Sequence, residues 1–411
     1  MVEKGKGEAS LPPWRLHAGR VIGRILKEHG IKYAFGVFGG HVLALDTGFY
    51  EHGIKRLHVR HEQAGVFAAD AYARCTRTPG ICYGTAGPGV TNMVTPLEQA
   101  FLVRSPIVAF FGQHARDENL RGPLQEAYGV EICSTLCKWG AFIPSWQLVP
   151  FYVRKALRDC ITYPPGPVVL AADRVTLNFA GEEGTLVGDV PNTVKAFPSP
   201  PAGDPKAIEQ AVRLVLASER PAIVAGDGVY WSDAAEELKE FAEMLQIPTN
   251  TRRLARGALP EDHPLAVKGA WRLQFWQDAD VILGIGIKLT NLENYGEPPT
   301  WPRNAKRIII HESQTDAWAP VPSVLEIIGS PKLVLRQMIE CARSLMGQRP
   351  ERKDWLDKLA AVRKRYEASI EEAAAEVRER KPIHGFLLAK EIVDFLDPSA
   401  TIIYDSYGGS A

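Results

Sequence analysis

Along this chain the spacing of apolar positions switches repeatedly between a helical and an extended period. Residues 18–30, "AGRVIGRILKEHG", place apolar side chains at helical intervals, and "YAFGVFG" behind them is a short apolar run closed by glycine, a strand signal. A helix after Glu62, a strand "GICYGT", a helix "NMVTPLEQAFLV", a strand "PIVAFFG", a helix "LVPFYVRKALRDCI" and a strand "GPVVLAA" follow. Continuous apolar strands alternating with amphipathic helices predict α/β architecture, a doubly wound parallel sheet covered on both faces. That first domain is expected over residues 1–185.

The polar, proline-rich stretch around "GDVPNTVKAFPSPPAGDP" reads as a linker, residues 186–203, after which the alternation restarts. A helix "DPKAIEQAVRLVLAS", a strand "PAIVAGDGV", a helix "SDAAEELKEFAEMLQ" and strands "ADVILGIGI" and "AKRIIIH" predict a second α/β domain at 204–345. Alternating charges in "KDWLDKLAAVRKRYEASIEEAAAEVRERK" predict a solvated helical connector at 346–385. From 386 to 411 a third unit begins: a helix "IHGFLLAKEIVDFL", then "TIIYDSYGGSA", whose β-branched run before Asp405 and the Gly408–Gly409 pair reads as a strand entering a sharp turn.

Composition narrows the class. With 411 residues, 45% of them hydrophobic, the chain can bury two or three ordinary cores. Lys+Arg and Asp+Glu both number 48, so no net field draws it to nucleic acid or an acidic membrane, and no nucleic-acid module stands out. No apolar run approaches a membrane-spanning length and the charged start lacks the core of a secretory signal, so a soluble cytoplasmic protein is expected. The six scattered cysteines form no disulfide framework; Cys133 and Cys137 lack a second ligand pair and read as buried thiols rather than a zinc site.

Two stretches carry candidate chemistry. In "RHEQAGVFAADAYAR", Glu62 opens a helix whose small residues allow a backbone or flat ligand to approach, although a carboxylate at a helix start is by itself an ordinary dipole partner. In "GICYGTAGPGVTN", Gly87, Pro88 and Gly89 turn away from a strand at the carboxyl end of the sheet, where ligands tend to sit, although glycine also ends strands for steric reasons. The order "FGVFGGHVLALD", "RHEQAGVFAADAYAR", "TAGPGVTN", "GPLQEA" and "KWG" resembles the pyrimidine-binding domain of thiamine diphosphate enzymes in the acetolactate synthase, benzaldehyde lyase and 2-hydroxyacyl-CoA lyase group.

The resemblance implies a thiamine diphosphate-binding fold for the first domain and a Rossmann-like fold for the second. It implies that Glu62 hydrogen-bonds the aminopyrimidine ring and promotes the tautomer that removes the thiazolium C2 proton, which an apolar pocket favouring the neutral acid would assist. It places Gly39, Gly40, Thr85, Pro88 and Asn92 around the pyrimidine, and His41 and Gln125 against the hydroxyl and carbonyl of a small-molecule carbonyl substrate. Phe38 departs from the family, where proline is usual.

The family holds its diphosphate through Mg²⁺ with a Gly-Asp-Gly turn and a later Asn. This chain has "GDG" at 226–228 and Asn250, but that turn falls where the family's middle domain has its first strand, so it is expected to be a turn or to carry ADP, CoA or FAD rather than the metal. The expectation is therefore a large subunit of a two-component carbon–carbon lyase or carboligase. It would self-associate and would be active only with a small subunit that supplies the diphosphate and Mg²⁺ domain, most simply as a heterotetramer. Substrates would be 2-hydroxy ketones or 2-hydroxyacyl-CoA thioesters, releasing an aldehyde, aromatic if benzaldehyde lyase is the guide. The rivals are a 2-keto acid decarboxylase or acetolactate synthase-like enzyme, a non-catalytic regulatory relic, and a fragment of a longer chain.

Overall fold

The structure, a computed structural model, describes residues 16–190, 199–269 and 271–403. The chain divides into two compact units between Ser199 and Pro200.

In the first unit the strands are β1 (Leu16–His17), β2 (Tyr33–Gly36), β3 (Lys55–His58), β4 (Gly80–Gly84), β5 (Ile107–Gln113), β6 (Trp139–Phe142), β7 (Val168–Asp173) and β8 (Ala180–Gly181). β1 and β8 form a small antiparallel ladder, and the other six form one parallel sheet in the order β3-β2-β4-β5-β7-β6. Alternate residues serve opposite faces. Tyr83, Val108, Phe110 and Leu170 join the helices Ala18–Glu28, Leu43–Glu51 and Val149–Ile161 in one core. Cys82, Ala109, Phe111 and Val169 join the helices Glu62–Thr76 and Val94–Leu102 in another. Burial on both faces is why these strands read as unbroken apolar runs.

Small residues set the helix packing on the first face. A Cβ on Gly19 would lie 2.0 Å from the Ala44 carbonyl oxygen, and one on Gly48 would lie 1.9 Å from that of Gly19. The helices Ala18–Glu28 and Leu43–Glu51 therefore meet backbone to backbone. After β2 the chain goes to β3 on one side and then to β4 on the other, so the order reverses between β2 and β4 and leaves a crevice beyond their carboxyl ends. Part of the stretch read as a linker packs on the first core: Leu186 is buried in it, and Asp189 pairs with Arg24 and Arg154 on the helices Ala18–Glu28 and Val149–Ile161.

The second unit has β9 (Pro221–Ala225), β10 (Thr249–Thr251), β11 (Val281–Ile285), β12 (Lys306–His311) and β13 (Leu325–Ile328), all parallel, in the order β10-β9-β11-β12-β13. Its faces also split by alternation, Ile223, Leu283 and Ile308 on one side and Val224, Ile282 and Ile309 on the other. The helix Lys353–Val377 is not a purely solvated connector, because Trp355, Leu359 and Val362 sit in that second core and the Trp355 indole donates to the Pro221 carbonyl. The expected closing strand does not form over Thr401–Ile403, while Asp405, Gly408 and Gly409 lie outside the described residues.

Candidate active site

Glu62 is the first residue of the helix Glu62–Thr76, capped by His61, whose Nδ1 accepts from the Gln63 amide at 3.2 Å. A carboxylate there gains from the helix dipole, yet Glu62 is only 7% exposed, and a buried carboxylate needs a partner. Asn92 provides it, its Nδ2 donating to Glu62 Oε2 at 2.9 Å. Asn92 reaches this point because β4 leads into a sharp turn at Gly87 (φ 65°) and then the short helix Pro88–Thr91, which Asn92 caps and Pro88 opens.

Glycine backbone edges the carboxylate, with the Met93 methyl packed behind it, 2.7 Å from where a Cβ on Gly84 would stand. A Cβ on Gly84 would stand 3.2 Å from Glu62 Cγ, and one on Gly89 would stand 3.5 Å from Glu62 Oε1 and 3.1 Å from Thr85 Cγ2. On the neighbouring loop, a Cβ on Gly39 would lie 2.6 Å from Thr85 Cβ, whereas the space next to Gly40 is open. Phe38, where the resemblance leads one to expect proline, is half-exposed on that loop. A carboxyl oxygen edged by glycine backbone is a cradle of the kind a flat heteroaromatic ring with a basic nitrogen fits.

His41 lies on the loop after β2, its Nδ1 3.1 Å from Thr85 Oγ1. A Cβ on Gly112 in β5 would be 2.2 Å from His41 Cβ, so the imidazole rests on bare strand backbone. Burial, and then the Arg174 guanidinium, hold its pKa below the ordinary imidazole value, so His41 is neutral near pH 7 and able to accept a proton. Gln125 adopts a left-handed backbone (φ 59°) and packs on Gly87, where a Cβ would meet Gln125 Cβ at 2.8 Å. His41 and Gln125 line one cleft of about 410 Å³ together with Gly40, Gln113, His114 and Arg174.

The chain thus brings Glu62 and Asn92 together at one point and His41 and Gln125 together at another, with Thr85 bonded to His41 and lying, like Glu62, beside Gly89. Glu62 does not line the cleft that holds His41 and Gln125. Gln113, His114 and Arg174 do not stand out in the sequence: the first closes an apolar strand, the second follows it, and the third follows another. Their position just past the carboxyl ends of β5 and β7 is the signal that locates them.

In the second unit the Gly-Asp-Gly turn has a structural explanation. Cβ atoms on Gly226 and Gly286 would stand 2.7 Å from Ile287 Cα and Gly228 Cα, so the turns after β9 and β11 pack backbone on backbone. Asp227 Oδ1 accepts from the Leu254 amide at 3.0 Å, and Asn250 Nδ2 donates to the Val267 carbonyl at 2.6 Å. These glycine faces are taken up by protein, and nothing here supports ADP, CoA or FAD at the turn.

Comparison with known proteins settles which family these features belong to. Residues 16–132 match the thiamine pyrophosphate enzyme N-terminal TPP binding domain, and residues 208–338 match the thiamine pyrophosphate enzyme central domain. The chain belongs to the thiamine pyrophosphate enzymes. It is 28% identical over 397 residues to a probable acetolactate synthase of Mycobacterium bovis, covering 96% of this chain and 70% of the relative. A probable acetolactate synthase large subunit of Methanocaldococcus jannaschii is 30% identical over 349 residues, 83% of this chain and 58% of the relative. Human 2-hydroxyacyl-CoA lyase 1 is 28% identical over 361 residues, 87% of this chain and 61% of the relative. The chain therefore spans between 58% and 70% of the length of these relatives. Among the described residues no helix is long and apolar enough to cross a membrane.

Proposed function

We propose that this chain provides the pyrimidine-binding and substrate-facing half of a thiamine diphosphate enzyme that breaks or makes a carbon–carbon bond next to a carbonyl. The observation that carries the proposal is the buried Glu62 carboxyl, held by Asn92 and edged by Gly84 and Gly89. Bound there, thiamine diphosphate would supply an electron sink for the carbon attached to the carbonyl.

The chain's own residues account for the rest. Glu62 exchanges a proton or a hydrogen bond with the ring nitrogen, and its burial strengthens that contact relative to water. Asn92 fixes the Oε2 side and so leaves Oε1 as the face presented to the ring. Gly39, Gly40, Thr85 and Pro88 shape the walls, and bulk at the glycines would close them. His41, neutral at pH 7, accepts the proton of a substrate hydroxyl, while Gln125 donates its amide to a carbonyl oxygen.

The diphosphate and its Mg²⁺ are held outside the two matched domains, as a small subunit with that domain would do, and the large chain self-associates. The free cysteines Cys75, Cys82, Cys133, Cys137, Cys160 and Cys341 suit the reducing cytoplasm.

The reaction is proposed as lyase or carboligase chemistry on 2-hydroxy ketones or 2-hydroxyacyl-CoA thioesters, in line with the lyase relative. The acetolactate synthase relatives favour a second reading, condensation or decarboxylation of 2-keto acids. Equilibrium binding of thiamine diphosphate with Mg²⁺ to the assembled enzyme tests the site: Glu62→Ala should weaken binding by tenfold or more, and unchanged affinity would refute it. Aldehyde release from a 2-hydroxy ketone, against CO₂ release from pyruvate, separates the two reactions.

A further inference from the structure

Two acceptor atoms beside His41 and Gln125 are left over once the functions above are assigned. Gln113 ends β5 and His114 follows it; both line the cleft of about 410 Å³, yet the residues are only 9% and 3% exposed. Gln113 Oε1 and His114 Nδ1 are both buried with no hydrogen-bond partner. A buried acceptor left unpaired is costly, so a pair of them on residues of one cleft wall marks where a ligand's donors belong.

The His114 ring is held from two sides. Its Nε2 lies within hydrogen-bond distance of Asn119 Oδ1, and Tyr128 packs edge-on, ring centroids 5.8 Å apart at 89°. An amide oxygen at Nε2 requires the proton to sit on Nε2, which in a neutral imidazole leaves Nδ1 as a bare lone pair. His41 stands on Gly112, directly before these two residues, so both imidazoles flank the same space.

We propose that Gln113 and His114 form a hydroxyl-binding subsite, in which His114 Nδ1 accepts the O–H of a 2-hydroxy carbonyl compound on binding, before His41 takes that proton in the reaction, and Gln113 Oε1 accepts a second donor from the same ligand. The inference rests on the carbonyl-substrate reading above and sharpens it. A plain ketone brings no donor to this wall, a 2-hydroxy ketone brings one and a dihydroxy ketone brings two. Selectivity then arises because a ligand without the hydroxyl leaves the acceptors unpaired.

The test uses the full chain with ¹⁵N-labelled histidine. NMR should find His114 in the Nε2–H tautomer, and acetoin should shift its Nδ1 resonance upfield while butanone, which lacks the hydroxyl, should not. His114→Phe keeps the ring against Tyr128 but removes the acceptor, and should erase an acetoin preference of about tenfold. A His114 found as the Nδ1–H tautomer, or equal responses to acetoin and butanone, would overturn the subsite; the wild-type spectrum decides this even if the variant does not fold. Glu62→Ala with unchanged thiamine diphosphate affinity, beside an intact acetoin response at His114, would remove the cofactor reading and leave the subsite standing.

Discussion

Replacing Gly112 by alanine probes the support under His41. Gly112 does not have a positive φ, so its backbone accepts alanine, and on the unfolded chain alone the change should stabilise by about 0.4–1 kcal/mol. The folded state opposes this, because the new methyl would sit 2.2 Å from His41 Cβ, with Ala86 N at 3.4 Å behind it. His41 would have to withdraw by about 1 Å, an overpacking cost of about 1–3 kcal/mol, and would release its contact with Thr85, about 1 kcal/mol more. The balance is a loss of about 2 kcal/mol, which for a unit of this size lowers Tm by about 4–8 °C. Thermal unfolding followed by circular dichroism reads the loss, and NMR of the His41 ring reads the displacement. Gly40→Ala is the control, since nothing stands within 4 Å of its Cβ and its φ is not positive, and it should hold or slightly raise Tm. A Gly112→Ala protein as stable as wild type, with unmoved His41 resonances, would refute the reasoning.

Three further outcomes are expected. Burial raises the Glu312 carboxyl pKa to about 7, only partly offset by Ser330, so it is protonated in the folded state over a range where the unfolded chain ionises it. Stability from this group therefore falls as pH rises from about 4.5 to about 7, by about 3 kcal/mol, and Glu312→Gln should flatten that slope in urea titrations at several pH values. His41 should titrate below 6.5 in NMR, and Arg174→Ala should raise its midpoint without restoring 6.5, because burial is the larger cause. Asn92→Ala leaves Glu62 Oε2 unpartnered and should reduce thiamine diphosphate affinity of the assembled enzyme by roughly tenfold, read by calorimetry.

The strands legible in the sequence are those buried on both faces. β4, β5, β7, β9, β11 and β12 each carry a run of consecutive apolar residues because each supplies two cores. β3, Lys55–His58, carries no such run, since it is an edge strand whose residues are partly or fully exposed. β10 and β13 are short edge strands, and β6 is another edge strand with all four residues partly exposed. At the site, Glu62 is legible through its motif, and the structure adds that Asn92 is its hydrogen-bond partner, a pairing made across 30 residues by a turn. Gln113 and His114 stay hidden because two polar residues after an apolar strand look like the start of any loop; only the fold shows them buried on a cleft wall.

The central claim is that Glu62 acts on the cofactor, and hydrogen–deuterium exchange at C2 of bound thiamine diphosphate measures that act directly. In the assembled enzyme Glu62→Gln preserves size and burial but removes the exchangeable acid, so exchange should slow by about a hundredfold or more while the assembly stays intact. Exchange at the wild-type rate in a correctly assembled Glu62→Gln enzyme would contradict the account.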